Sequence, residues 1–381
     1  MNQTAEMSVG AEGPINDFEP ARLTIRLGAI VENFKRIERL AAPAAAAAVV
    51  KADAYGLGMS EVAAALSARA RCDTFFVARH SEGIALRPLV PEARIYVLDG
   101  APADAVPALI AWRLTPVLNS LAEIAAWSAA GRAMRTDLDA AIHADTGMNR
   151  LGIPANELAI LAAEWKKRLA FIRPVLVMSH LACADDAASP MNAIQLERFK
   201  TVLSLLPETP ASLASSGGVL LGKEYAFDLV RPGLALYGGN PHASTQRNPF
   251  MVAARLTSEV LQLRYIDKTE TVGYGATFRA EGPRTIATAA VGYADGLLRA
   301  SSNRGSVAVS GARAPIVGRV SMDLVSFDVT LIDGVRTGAE VEIVGDTVTL
   351  EDFAAAANTV AYEVLTSLSR RAARSYFEGH T

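Results

Sequence analysis

Between residues 46 and 238 one pattern recurs eight times: a short apolar run, then a helical stretch or a Gly-containing turn. The runs fall at 46–51, 74–78, 95–98, 115–118, 140–143, 175–180, 211–215 and 235–238. Helical spacing covers stretches such as 60–70, 120–130, 154–167 and 191–206. Ser120 stands three residues before Glu123, an N-cap and capping-box pair. Strands that alternate with helices predict a parallel sheet. Eight of them match a closed (β/α)8, TIM-like barrel. An open doubly wound sheet is the alternative.

From about residue 250 the texture changes. "MVAARLTSEVLQLRYID", "GSVAVSG" and "AEVEIVG" are short, alternating and punctuated by glycine, as in a mostly antiparallel β domain. The stretch "GGNPHASTQRNPF" has the composition of a linker. The expected organisation is a flexible extension at 1–20, an α/β barrel at 21–245 and a β domain at 246–381. The alternating run "ARLTIRL" near the start is a candidate extra strand of the second sheet, which would make that domain discontinuous.

Composition narrows the partners. The 37 basic and 40 acidic residues leave a net charge of -3 with no basic block, which argues against nucleic acid. No apolar run reaches the roughly 20 residues of a membrane span. The N-terminus lacks the basic and apolar regions of a signal peptide. Only Cys72 and Cys183 are present, no basis for a disulfide framework, so a reducing cytoplasm is the expected location.

In such a barrel the chemistry sits at the C-terminal strand ends. Lys51 ends the first run, in "AAAAAVVKADAYGLG". A half-buried lysine loses part of its charge preference, and a neutral amine can form a Schiff base. Alone it reads equally as a lysine snorkelling from a strand end. The other strand ends bring Arg150 in "HADTGMNRLG", His180 in "VMSHLACADD", Ser216 in "ASSGG", and Arg231 in "VRPGLALYGG". Singly, each has a structural reading: rim arginines, a core histidine, a common turn. His180 and Cys183 with Asp185 and Asp186 are too loosely spaced for a metal site. A lysine, two arginines, a histidine and a Gly-rich anion cup together suit pyridoxal phosphate.

The motifs "VVKADAYGLG", "DTGMNRLG", "VRPGLALYGG", "VGYGATF", "VGYADG" and "GRVSMD", in that order, resemble those of the alanine racemases, fold-type III pyridoxal phosphate enzymes. The resemblance runs from about residue 20 to the end. It implies that Lys51 carries the cofactor and is one catalytic base. It puts the second base, for the opposite face of Cα, on Tyr274, supplied to the partner subunit of a homodimer. Tyr55, Ser216, Gly233 and Leu234 are implied at the cofactor phosphate and Arg150 at its phenolic oxygen. A relay from Tyr274 through His180 to Arg231 would end at the pyridine nitrogen. Arginine offers no acceptor there, so the nitrogen would stay unprotonated and the ring would be a weaker electron sink. Met322 and Asp323 are implied beside the substrate carboxylate, with Arg150 also facing substrate and Tyr293 at the mouth. L- and D-alanine would be interconverted, for peptidoglycan or for alanine catabolism.

Two positions depart from the family pattern. His143 stands where some members have a carbamylated lysine, and Arg370 falls where a tyrosine is expected near the phosphate. Arg231 argues against the related decarboxylases, which place an acid at the pyridine nitrogen. A broad-specificity racemase is the closer rival. The long β domain argues against a single-barrel cofactor carrier.

Overall fold

A computed structural model of the chain describes residues 19–242, 247–368 and 370–379. The expected extension at 1–20 lies almost wholly outside the described residues. The chain forms two compact units. Of the described residues, one holds those within 26–254, 360–366 and 376–379; the other holds those within 19–25, 255–359 and 367–375.

The first unit is an α/β barrel. Seven parallel strands pair in chain order, from Ala48–Val49 through Thr74–Val77, Arg94–Val97, Thr115–Leu118, Leu138–His143 and Ile172–Met178 to Ala211–Ser212. An eighth, Leu229–Val230, pairs in parallel with Ala45–Ala46. Arg231 N–H donates to the Ala214 carbonyl at 2.9 Å, so this strand also meets the end of the seventh and closes the ring. The strands are buried on both faces; Thr115 through Leu118 are all buried. That explains why they read as continuous apolar runs rather than alternating ones. The helices alternate instead. Leu27–Ala41 buries Leu27, Ile30, Val31, Phe34, Ile37 and Ala41, one face at helical spacing.

Three local readings are refined. The run 235–238 is not the eighth strand: Leu234–Tyr237 is a 3-10 turn. It is pinned by the Tyr237 hydroxyl, which donates to the Val49 carbonyl at 2.8 Å, and it ends at Gly238 in the left-handed region. Strand one stops at Val49, and Lys51 opens a turn of its own. Ser120 caps its helix by accepting the Glu123 N–H at 3.2 Å, but the Glu123 carboxylate reaches Asn119 N–H (2.8 Å) one residue further back.

The second unit is built on an eight-stranded, mostly antiparallel sheet. Its long strand Ala254–Ile266 pairs with Glu340–Val344 on one side and Arg284–Ala289 on the other. Arg22–Arg26 joins this sheet. The unit is therefore discontinuous: the alternating run near the start of the chain, a candidate strand of this sheet, lies in it and not in the barrel expected at 21–245.

Candidate active site at the barrel mouth

A cavity of about 670 Å³ opens at the C-terminal ends of the barrel strands. Lys51, Tyr55, Arg150, His180, Ser216, Arg231, Gly233 and Leu234 all line it. These are the eight barrel residues implied at the cofactor, and His143 lines the cavity with them.

Lys51 begins a tight turn in which Ala52, Asp53, Ala54 and Tyr55 all adopt φ between 52° and 57°. Left-handed backbone costs an L-residue about 1–2 kcal/mol, so this segment needs outside support. Glu82 gives some: one carboxylate oxygen accepts Ala52 N–H (2.7 Å), the other Ala78 N–H (2.8 Å) and Arg79 N–H (3.1 Å). Asp53 accepts Met59 N–H at 2.8 Å and ties the turn to the next helix. The result aims Lys51 into the cavity. Burial lowers its pKa, and the Arg150 charge lowers it further, while Glu82 and Asp99 pull the other way.

Arg150 comes from a loop organised by Asp145. One oxygen of that carboxylate accepts the N–H groups of Gly147 and Met148 at 2.9 Å and of Asn149 at 3.2 Å. Arg231 is only 4% exposed. It donates to the Ser179 carbonyl (2.6 Å) and to the Ser212 hydroxyl, and its guanidinium lies 5.9 Å from the centre of the Phe76 ring. No carboxylate pairs with it among the described residues. Burial lowers its pKa, yet guanidinium remains a cation.

Burial and that fixed charge together favour the neutral form of both cavity histidines. Burial, then Arg231, brings His180 down to about 3 and His143 to about 4. The wall is thus rich in cations and donors, with Asp99 and Glu363 as its carboxylates. At one corner the Ser216 hydroxyl accepts Gly233 N–H (3.0 Å) and Ala235 N–H (3.1 Å), leaving its own hydrogen to donate. A Cβ on Gly233 would lie 2.2 Å from the Tyr55 hydroxyl. Tyr55 itself packs on Tyr237, with ring centres 4.8 Å apart, and burial raises its pKa, so it stays a donor.

Tyr274, Tyr293, Met322 and Asp323 belong to the other unit. Tyr274 opens the short turn Tyr274–Ala276 and is 72% exposed. Tyr293 N–H donates to Ser321 C=O and Ala294 N–H to Met322 C=O, both at 3.0 Å, which ties the two segments side by side. Arg371 grips Asp295 through two bonds (2.6 and 2.7 Å) and Asp323 through one (2.6 Å).

One expectation is corrected. The tyrosine at the cavity wall is Tyr362, with its ring 6.0 Å from that of Tyr55. Arg370 does not take that place; it lies in the antiparallel unit. The helix Ala361–Ser367 returns to the barrel unit, and the chain leaves it before residue 370. Sequence reasoning also missed Glu82 and Asn119, whose bonds to the site's backbone and to His143 leave no motif.

Two family models cover this architecture. One, described as alanine racemase, N-terminal domain, matches residues 25–241; the other, alanine racemase, C-terminal domain, matches 253–376.

The chain belongs to the alanine racemase family.

It is 47% identical to an alanine racemase of Methylobacterium nodulans over 361 residues, 94% of this chain and 96% of that one. It is 46% identical to a catabolic alanine racemase of Agrobacterium fabrum, over 93% of this chain and 92% of that one. The fold superposes on an alanine racemase from Bartonella henselae, a structure with covalently bound pyridoxal phosphate. There the TM-score is 0.89 and identity 39%, with 94% of this chain and 99% of that chain covered.

Proposed function

We propose that this chain interconverts L- and D-alanine with pyridoxal phosphate as cofactor, and that its sites are completed in a homodimer. The activity and the cofactor are those of the alanine racemase family. The observation that carries the reading is Lys51, half-buried at the barrel mouth with a lowered pKa, in a wall otherwise rich in cations and hydrogen-bond donors.

The residues present fit the cofactor. Lys51 would hold it covalently. Ser216, Tyr55 and the backbone at Gly233 and Leu234 would form the anion cup, where Gly233 leaves room for the phenol. Arg231 presents only N–H donors, so it would meet a ring nitrogen that accepts. Arg150 would face the phenolic oxygen. When bound, the cofactor supplies the electron sink that weakens the substrate Cα–H bond.

The protein's part is to hold and move protons. The Lys51 amine would exchange the proton at Cα on one face. Tyr274 would serve the other face, in the partner's site. Its phenol is ordinarily weak near neutrality, and neutral His180 backed by Arg231 would steady it. Met322, Asp323 and Tyr293 would border the substrate from the same partner. Support for dimerisation comes from the exposure of Tyr274 (72%), Met322 (53%) and Tyr293 (42%), apolar and aromatic groups on one unit. The barrel domain would then bind cofactor and the β domain would supply the second base.

No helix among the described residues is long and apolar enough to cross a membrane. The cytoplasm is the proposed location, with Cys72 and Cys183 both unpaired. Relatives named catabolic and biosynthetic are both similar to this chain, so D-alanine for peptidoglycan and alanine breakdown are both open to it.

Borohydride reduction of the cofactor-loaded protein, followed by peptide mapping, tests this reading. The expected result is cofactor fixed on Lys51. Fixation on another lysine, or none, contradicts it.

A further inference from the structure

We propose that Gln195 is a positioning residue for the racemisation site: its buried amide locks the loop that begins at His180 to the loop that delivers Arg150. The inference rests on the alanine racemase reading above.

Gln195 lies on the helix Pro190–Leu205 and has no exposed surface. Its Oε1 accepts Ala182 N–H at 2.8 Å. Its Nε2 donates to the His180 carbonyl at 3.0 Å and to the Thr146 hydroxyl at 3.1 Å. The Thr146 and Ser179 hydroxyls are 2.8 Å apart, and the Ser179 carbonyl takes Arg231. From the same helix Arg198 donates to the Thr146 carbonyl at 3.1 Å. Arg150, His180 and Arg231 thus stand on segments joined by one buried polar network, and Gln195 is its centre.

The need for such a residue follows from the strands. Ile172–Met178 has the strand Leu138–His143 as neighbour, and Ala144 N–H still reaches the Met178 carbonyl at 2.8 Å. At Asp145 the neighbour turns away into the Arg150 loop. The backbone beyond Met178 runs on through buried Leu181 and must find partners. The Gln195 amide supplies them, a donor to residue 180 and an acceptor from residue 182, as an adjacent strand would. Only an amide of this length offers both. Glutamate lacks the donors and methionine lacks both groups.

The test uses cofactor-loaded Gln195→Met, Gln195→Glu and Thr146→Val beside the wild type. Alanine kinetics across pH are measured with the ¹⁵N spectrum of the histidine side chains. Both Gln195 variants are expected to hold cofactor, to lose about 10- to 100-fold in kcat, to shift the pH profile and to move the His180 signals. Thr146→Val, which cuts only the cross-link between loops, is expected to give a smaller loss in the same direction. If Gln195→Met does not fold, Thr146→Val decides by the same criteria. Folded variants with wild-type kcat, pH profile and His180 signals overturn the proposal. So does a loss of activity that only follows the folded fraction. A wild type that holds cofactor and does not racemise alanine overturns the parent reading instead, and the His180 signals then decide whether Gln195 positions that loop.

Discussion

Nδ1 of His143 lies 2.7 Å from Oδ1 of Asn119, and both side chains are buried. The amide can face only one way, because its Nδ2 donates to the carbonyls of Leu98 (3.2 Å) and Val117 (2.8 Å). The oxygen therefore meets the imidazole, Nδ1 carries the proton, and Nε2 keeps its lone pair. Asn119→Ala should leave that N–H without an acceptor. The expected cost is about 1–3 kcal/mol of stability, read from the unfolding midpoint. The ¹⁵N spectrum of His143 should change from one tautomer to a mixture.

Acid should weaken the fold through the same residue. Burial and Arg231 hold His143 at about 4, against 6.5 for an ordinary histidine. As pH falls, the unfolded chain takes its proton first. The stability is fully present above about 6.5 and is lost as pH falls towards about 4. At pH 5 the loss is about 2 kcal/mol. Urea unfolding of the cofactor-free protein at pH 7 and pH 5 checks this. The wild type should lose about that much more than His143→Gln, and equal losses would contradict it.

Arg150 should set the pH at which Lys51 captures its cofactor. Its charge lowers the lysine pKa, second to burial. In Arg150→Gln that pKa should rise, so less neutral amine is present at pH 7. Capture of pyridoxal phosphate, followed by stopped-flow absorbance, should slow at pH 7 and recover as pH is raised. An unchanged pH dependence would show that burial alone tunes Lys51.

Gly233→Ala should damage the anion cup by volume. The new methyl would fall 2.2 Å from the Tyr55 hydroxyl, and Tyr55 is hemmed by Tyr237 and Tyr362. Backbone strain is not the cause, since Gly233 has φ of -126°. Equilibrium dialysis should show at least about a tenfold weaker hold on pyridoxal phosphate, the equivalent of 1.4 kcal/mol. Affinity within a factor of two would mean that the phenol moves aside freely.

Much of the site was legible because a barrel gathers strand ends. Lys51, Arg150, His180 and Arg231 each follow an apolar run, so their common mouth could be read before any coordinates. Residues that act through the backbone were not legible. Glu82 and Gln195 sit on helices, carry no motif and act mainly by holding peptide groups. Tyr362 was missed because its helix Ala361–Ser367 lies far along the chain, beyond the β domain, yet belongs to the barrel unit. The eighth strand was misplaced for a different reason. Leu234–Tyr237 is the longer apolar run, but it packs as a turn, and the two-residue strand Leu229–Val230 has too little sequence to show a pattern.

Chiral chromatography of alanine incubated with the cofactor-loaded protein reads racemisation itself. Started from either pure enantiomer, the mixture should approach equal amounts of L- and D-alanine, and Lys51→Ala should abolish the change. A protein that binds pyridoxal phosphate but leaves both enantiomers intact would contradict the account.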